Sequence, residues 1–311
     1  KFRYRRKYKS GLCFPDQSGD KVMAVSSTTT TKEREHQEKK VSVDFFHIDM
    51  IPDAMDKMRW STAAKLMRHW FSIQPAYAFD INSKDQAVNG DPRNLSSSKI
   101  NVDIVKMSWA IQFEQVKNGI DALKKTWCSP KGKTQLIERL QNAGDFANNC
   151  IFLGYSEDVA YLDATAQVNF KRIGNKTDTI NAWYGAMGNS VLKVCVRGST
   201  SKINGKDAFI IDELGFYLKD TYDFVDESNT PEPLGIWSKN RILDKKESAI
   251  YMSSYLSGFF GDLARIYSGF VPVFNHDFRL WQKKHGTGGD YIILSDVLWT
   301  KVEESDKVIF L

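Results

Sequence analysis

The amino-acid sequence predicts an α+β fold in which a helical N-terminal half packs on a mainly antiparallel β C-terminal half. Three observations lead there. Up to about residue 150 the apolar residues recur at spacings of three and four, the helical period. Near residues 190–224 they alternate with a period of two. Between the two alternating runs stands Asn204-Gly205, the pair a tight hairpin turn favours because both central positions need positive φ. The chain divides accordingly into a basic arm and low-complexity linker over 1–44, a mainly helical region over 45–150, and an antiparallel β-rich region over 151–311 that carries the candidate site.

The elements follow in order. Residues 1–9 hold Lys1, Arg3, Arg5, Arg6, Lys7 and Lys9, and residues 26–40, SSTTTTKEREHQEKK, cannot bury apolar area and read as an exposed loop or linker. His36 belongs to that loop and is given no ligand role. Pro52 opens a short helix carrying Met55 and Met58, since its missing N–H costs nothing at the first helical position. Ser61 is expected to cap STAAKLMRHWF, with Ala63, Met67, Trp70 and Phe71 on one face. His69, beside that face, reads as a hydrogen-bonded packing histidine rather than a metal ligand. Pro75 ends this hairpin, and INSKDQAVNGDPRNLSSSK (81–99) reads as a long surface loop. Val116, Ile120, Leu123 and Trp127 mark an amphipathic helix, and Ser129-Pro130 starts another with Leu136, Ile137 and Leu140 inward and Gly144 as its stop.

In the β-rich region Leu192, Val194 and Val196 alternate with Lys193, Cys195 and Arg197, and FIIDELGFYLKDTYDF (209–224) returns beside them. IWSKNRIL (236–243) and YIILSDVLW (291–299) read as further strands. In AIYMSSYLSGFFGDLARIY (249–267) the four-residue repeat of Tyr251, Tyr255 and Phe259 favours helix. Its uncharged core, Ser248–Gly261, is too short to span a bilayer; buried core is the preferred reading and a membrane interface the alternative.

Composition excludes several classes. With 42% hydrophobic residues and eight Trp in 311, the chain is not wholly disordered, and no apolar run is long enough to span a bilayer. The formal charge of +5 is concentrated in the first nine residues; the other 302 carry 37 basic and 38 acidic side chains. Nucleic acid is therefore not expected as the main partner. Cys13, Cys128, Cys150 and Cys195 have neither metal-type nor disulfide-framework spacing, which points to synthesis in a reducing cytoplasm. The first residue is Lys, so a preceding part or a Met is expected, and no apolar stretch near it suggests a signal peptide.

Two clusters could carry chemistry. In KDTYDF, Asp220 and Tyr222 are two apart and face one way on a strand, while Asp223 faces the other way or lies in the turn; Asp226 and Glu227 follow. Close carboxylates repel, which raises one pKa and suits acid–base work or cation binding, although turns also favour Asp and Glu. The second cluster, FNHDFRLWQKKHGTGGDYIILSDVLW, supplies His276, Asp277, Arg279, His285, Asp290, Ser295 and Asp296. A His/Asp/Arg group could bind phosphate or act as acid and base. Its glycines make a flexible turn, not a phosphate-binding loop, and no GxSxG, HExxH or EF-hand pattern is present.

Taken together, IPDAMDKMRWSTAAKLMRHWF, the hairpin into LGFYLKDTYDF, PLGIW and FNHDFRLWQKKHGTGGDYIILSDVLW resemble, from about residue 45 onward, an uncharacterised bacterial domain family encoded beside the spike and tip proteins of type VI secretion systems. The resemblance implies an effector delivered into rival bacteria, with a spike or tip protein and a cognate immunity protein as partners. Asp220, Tyr222 and Asp223 also resemble the Asp-x-Tyr-Asp half of the motif of colicin M-type toxins, which cleave the lipid II precursor of peptidoglycan. The His-Arg half is absent: positions 229 and 230 are Asn and Thr, so His276 or His285 and Arg241 or Arg279 would have to supply it.

The expected function is thus an antibacterial type VI effector that hydrolyses a cell-envelope substrate such as the lipid II pyrophosphate, acting at the periplasm or membrane of the target cell. Asp220, Tyr222, Asp223, His276 and Arg279 are its expected catalytic residues, and Asp220 and Asp223 would hold a divalent cation, Mg2+ or Ca2+. The alternatives are a non-enzymatic secretion adaptor or membrane-active toxin and, third, a nuclease.

Overall fold

The computed structural model of the chain describes residues 22–26, 42–175, 178–226 and 233–311. The basic arm, the Thr-rich stretch from residue 27 with His36, Cys13, Glu227 and positions 229 and 230 lie outside these. Within the region expected to be linker, β1 (Val22–Ser26) and β2 (Ser42–Phe46) form an antiparallel pair.

The helical half begins with α1 (Ile51–Lys57), which has Pro52 in its first turn, and α2 (Ser61–Ser72). Trp60, not Ser61, is the N-cap of α2 and no side chain caps it; the helix forms because Ala63, Ala64, Leu66, Met67 and Trp70 bury one continuous face. Residues 81–99, expected to be a loop, contain α3 (Ile81–Asn89). Its start is a reciprocal capping box: Ser83 N–H donates to Asp80 Oδ1 at 2.7 Å, and Asp80 N–H to Ser83 Oγ at 2.9 Å. With Ala87 as its one buried residue, α3 has almost no apolar face to read. Then come α4 (Met107–Ala110), α5 (Glu114–Thr126) and α6 (Pro130–Ala143), the last capped by Ser129 and stopped at Gly144. Helices continue into the second half: α7 (Val159–Thr165), α8 (Ala182–Ala186), α9 (Lys245–Leu256), α10 (Phe260–Ile266) and α11 (Asn275–His285).

The sheet is built on one long hairpin. After β3 (Ile100–Asn101), β4 (Phe152–Leu153) and β5 (Gln167–Ile173), the strands β6 (Ser190–Ile203) and β7 (Lys206–Tyr222) pair along most of their length. Asn204 at φ 51° and Gly205 at φ 77° make the turn between them. The segment expected as a strand at 236–243 supplies only β8 (Gly235–Trp237), which pairs with β9 (Val271–Val273) in a separate two-stranded sheet. β10 (Tyr291–Leu294), β11 (Leu298–Lys301) and β12 (Val308–Phe310) lie successively along the free edge of β7, antiparallel to it. β5 and β4 cover the edge of β6, and the short β3–β10 pair is parallel.

Alternation sorts the side chains to two faces. Leu192, Val194, Phe216 and Leu218 join the main core with Trp70, Leu136 and Phe278, while Cys195 and Tyr217 on the reverse face pack with Val159 and Leu162 of α7 and Ala87 of α3. The main core thus draws on both halves of the chain.

Candidate functional site

β7 runs out at Tyr222, and its last residues form the floor of an open cleft of about 770 Å³. Asp220, Tyr222 and Asp223 all line it, together with Lys84 of α3 and the exposed Asp226. Ile51, Met55 and Met67 from α1 and α2, with Trp237, Ile242, Val273 and Phe278, give its walls an apolar part, and Asn175, Asn189 and Asn275 a polar one. Even alternation brings Asp220 and Tyr222 to one face, as the spacing predicts, and the turn after β7 swings Asp223 back to the same opening.

The two carboxylates differ in surroundings. Asp223 is held by Lys84, whose Nζ lies 3.1 Å from Oδ2 and 3.2 Å from Oδ1, and it accepts the Val225 N–H at 3.0 Å. Asp220 accepts the Thr221 backbone N–H at 2.8 Å. Burial pushes the Asp220 carboxyl well above the usual carboxylate range, and the charge of Asp223 adds to that; the Thr221 N–H, Lys84 and Arg172 pull the other way. Tyr222 is buried, its ring stacked on Tyr291 with centroids 5.4 Å apart, and burial raises its phenol as well, so it stays a proton-bearing hydroxyl. Ser190, at the start of β6 and paired with Ile173 of β5, is 2% exposed and its Oγ has no hydrogen-bond partner.

The second cluster is dispersed, and most of it braces the fold. Arg279 grips Asp290 bidentately, Nη1–Oδ1 at 3.0 Å and Nη2–Oδ2 at 2.6 Å. Asp290, fully buried, also accepts Trp70 Nε1–H at 2.9 Å and Phe79 N–H at 2.8 Å. One carboxylate thereby ties α2, the segment before α3 and α11 to the start of β10. Asp277 accepts the Phe274 N–H at the start of α11, Ser295 Oγ accepts the Leu218 N–H, and Asp296 accepts the Met107 N–H. His276 is largely exposed, 3.1 Å from Asp277 and stacked on Phe274, and His285 stacks on Trp281. Neither histidine nor Arg279 lines the cleft, and Arg241 is paired bidentately with Glu247. His69 packs edge-on against Tyr291 with its Nε2 buried and without the hydrogen bond expected of it; desolvation lowers its pKa and keeps it neutral.

A cluster that the sequence did not single out lies behind the cleft. On the reverse face of the sheet Asp163 of α7 accepts from Lys193 and Lys219, each at 2.7 Å, and from the Tyr217 hydroxyl at 2.5 Å. Lys219 is 1% and Asp163 5% exposed. Burial alone would raise the Asp163 carboxyl, but the two lysines hold it below the usual range. The signal was a lysine inside each of two buried strands, Lys193 and Lys219, on the same face.

Among the described residues no group of three or more His, Cys, Asp or Glu side chains converges as a cation site. The chain matches a family of unknown function, DUF6402, over residues 46–310. No curated protein and no solved structure matches it.

Proposed function

This chain belongs to the family of unknown function DUF6402, and we propose that it is a hydrolase whose acid–base group is Asp220. The supporting observation is a carboxyl whose proton affinity burial raises, lining a large open cleft together with Tyr222 and Asp223. A carboxyl whose pKa is raised holds its proton more tightly, can donate it to a leaving oxygen and can recover it from water, as general acid–base hydrolysis requires. Tyr222 donates its hydroxyl to a substrate oxygen, and Asp223, pinned by Lys84, fixes the loop. The walls suit an amphipathic substrate, which supports an envelope precursor such as lipid II, and with it the role of an antibacterial type VI effector that has a spike protein and an immunity protein as partners. His276 and Arg279 have no part in this reading as placed.

A pyrophosphate substrate makes one further demand. Lys84 is the one basic side chain among the described lining residues, against Asp220, Asp223 and Asp226. A divalent cation, Mg2+ or Ca2+, taken by Asp220 and Asp223 would redress that balance; it would bind Asp220 only as the ionised carboxylate and draw Asp223 from Lys84, so it would replace the acid–base role of Asp220 with polarisation of the leaving oxygen. Loss of lipid II cleavage on chelation, restored by Mg2+ or Ca2+, is the expected result, and cleavage that resists chelation removes the cation.

The reading is tested by exporting the chain to the periplasm of a bacterial host. Wild type should kill with rounding and lysis, and Asp220→Ala should lose killing while it melts as a folded protein. A folded Asp220→Ala that still kills discards the hydrolase and leaves the non-enzymatic toxin; killing only without export moves the target to the cytoplasm.

A further inference from the structure

The uncharged segment around residue 255, expected to be core, carries several large exposed apolar side chains. α9 and α10 form a helical arm whose inner side has a small core of its own, in which Ile236, Leu243, Tyr251 and Leu263 are buried together. Its outer residues are not needed for that packing. Leu256 is 78% exposed, Phe259 61%, Phe260 60% and Ile266 61%. Gly258, at φ 78°, turns the chain at the tip, and a side chain on it or on Gly261 would meet nothing within 4 Å. A soluble surface rarely leaves several large side chains together in water unless something covers them.

Charge says what covers them. At the base of the arm Lys57, Lys239 and Arg241 line a hollow of about 340 Å³ that has no carboxylate among its described lining residues. Lys57 donates to neutral acceptors, Lys239 O at 2.8 Å and Asn240 Oδ1 at 2.9 Å, so its charge is not cancelled there. Arg241, paired with Glu247, stacks over Phe270, just beyond the end of α10. Lys245 and Lys246 lie exposed in the first turn of α9, where the helix dipole disfavours cations. Twelve residues make α9 about 18 Å long, similar to the roughly 15 Å of one leaflet's hydrocarbon. No helix among the described residues is long and apolar enough to cross a membrane.

We infer that the α9–α10 arm docks the protein on an anionic lipid bilayer, with Leu256, Phe259 and Phe260 entering the acyl boundary and the basic base meeting lipid phosphates. The proposal is independent of Asp220. It is tested by co-sedimenting the full chain, at low ionic strength, with vesicles of phosphatidylcholine alone or with phosphatidylglycerol added. Partition onto the anionic vesicles should be at least tenfold stronger. The variant Leu256→Ser/Phe259→Ser/Phe260→Ser should lose at least tenfold, and Lys57→Gln/Lys245→Gln/Lys246→Gln should lose the preference for anionic lipid. Phe259→Trp, a milder probe should the serine variant fold poorly, should show blue-shifted fluorescence with anionic vesicles beyond any shift of the wild type. Absent or charge-indifferent binding, undiminished binding by a folded serine variant, or no added shift from Phe259→Trp overturns the proposal and leaves the patch to a protein partner.

Discussion

Asp220→Asn separates chemistry from stability. The folded-state pKa of Asp220 is raised, so its contribution to stability is present below the ordinary carboxylate pKa and is lost as pH rises through the folded value. Near neutral pH the buried carboxyl is a liability, and Asn, which carries no charge at any pH, should melt at the same or a higher temperature while killing is lost. A melting temperature that falls at every pH would show that Asp220 holds the fold instead. Asp290, whose carboxyl burial also pushes up, differs in what depends on it. Asp290→Ala leaves Arg279, Trp70 Nε1 and the Phe79 N–H without their acceptor and should cost about 3–5 kcal/mol in urea unfolding. Both residues stood out in the sequence as acids beside aromatic strands. Only their surroundings distinguish a cleft carboxyl from a brace, and those include distant segments: Lys84 for Asp220, and Trp70 and Phe79 for Asp290.

At the scale of elements, the β6–β7 hairpin organises the sheet, and its register rests on two residues. Gly205 stands at φ 77°, where a Cβ costs about 1–2 kcal/mol, so Gly205→Ala should lower stability by about that much without changing the sheet's circular dichroism. A larger loss, or a changed spectrum, would show that the register itself slips. This hairpin was legible because period, turn pair and length agreed. α3 was not, since its capping box sits in a polar segment that turn statistics also favour. The strand expected at 236–243 shrank to β8 because its second half bends back, Leu243 N–H bonding to Ile236 O at 2.9 Å. The arm of α9 and α10 was recognised as helix, but its apolar residues were expected inward; two of its faces are apolar, and periodicity cannot rank them.

On the scale of the whole molecule, the main core takes Trp70 and Leu136 from the helical half and Leu192, Phe216 and Phe278 from the β-rich half. Residues 151–311 produced alone would expose the main-core face of β6 and β7 to water. That fragment should be poorly folded, with little near-ultraviolet circular dichroism, and a well-dispersed NMR spectrum from it would show two separable domains instead.

Local pattern and composition determined the α+β class, the long hairpin, the helices α1, α2, α5 and α6, the charge asymmetry of the chain and the placing of Asp220 and Tyr222 on one face. These depend on spacings of two to four residues and on backbone preferences that act within a turn. Tertiary structure alone decided that Asp223 joins them, that Arg279 and Asp290 brace the fold, that Asp163 pairs with both Lys193 and Lys219 and that the apolar arm faces out. Each of these depends on which distant groups exclude water or supply a donor, and an isolated stretch of sequence carries no record of its neighbours in space.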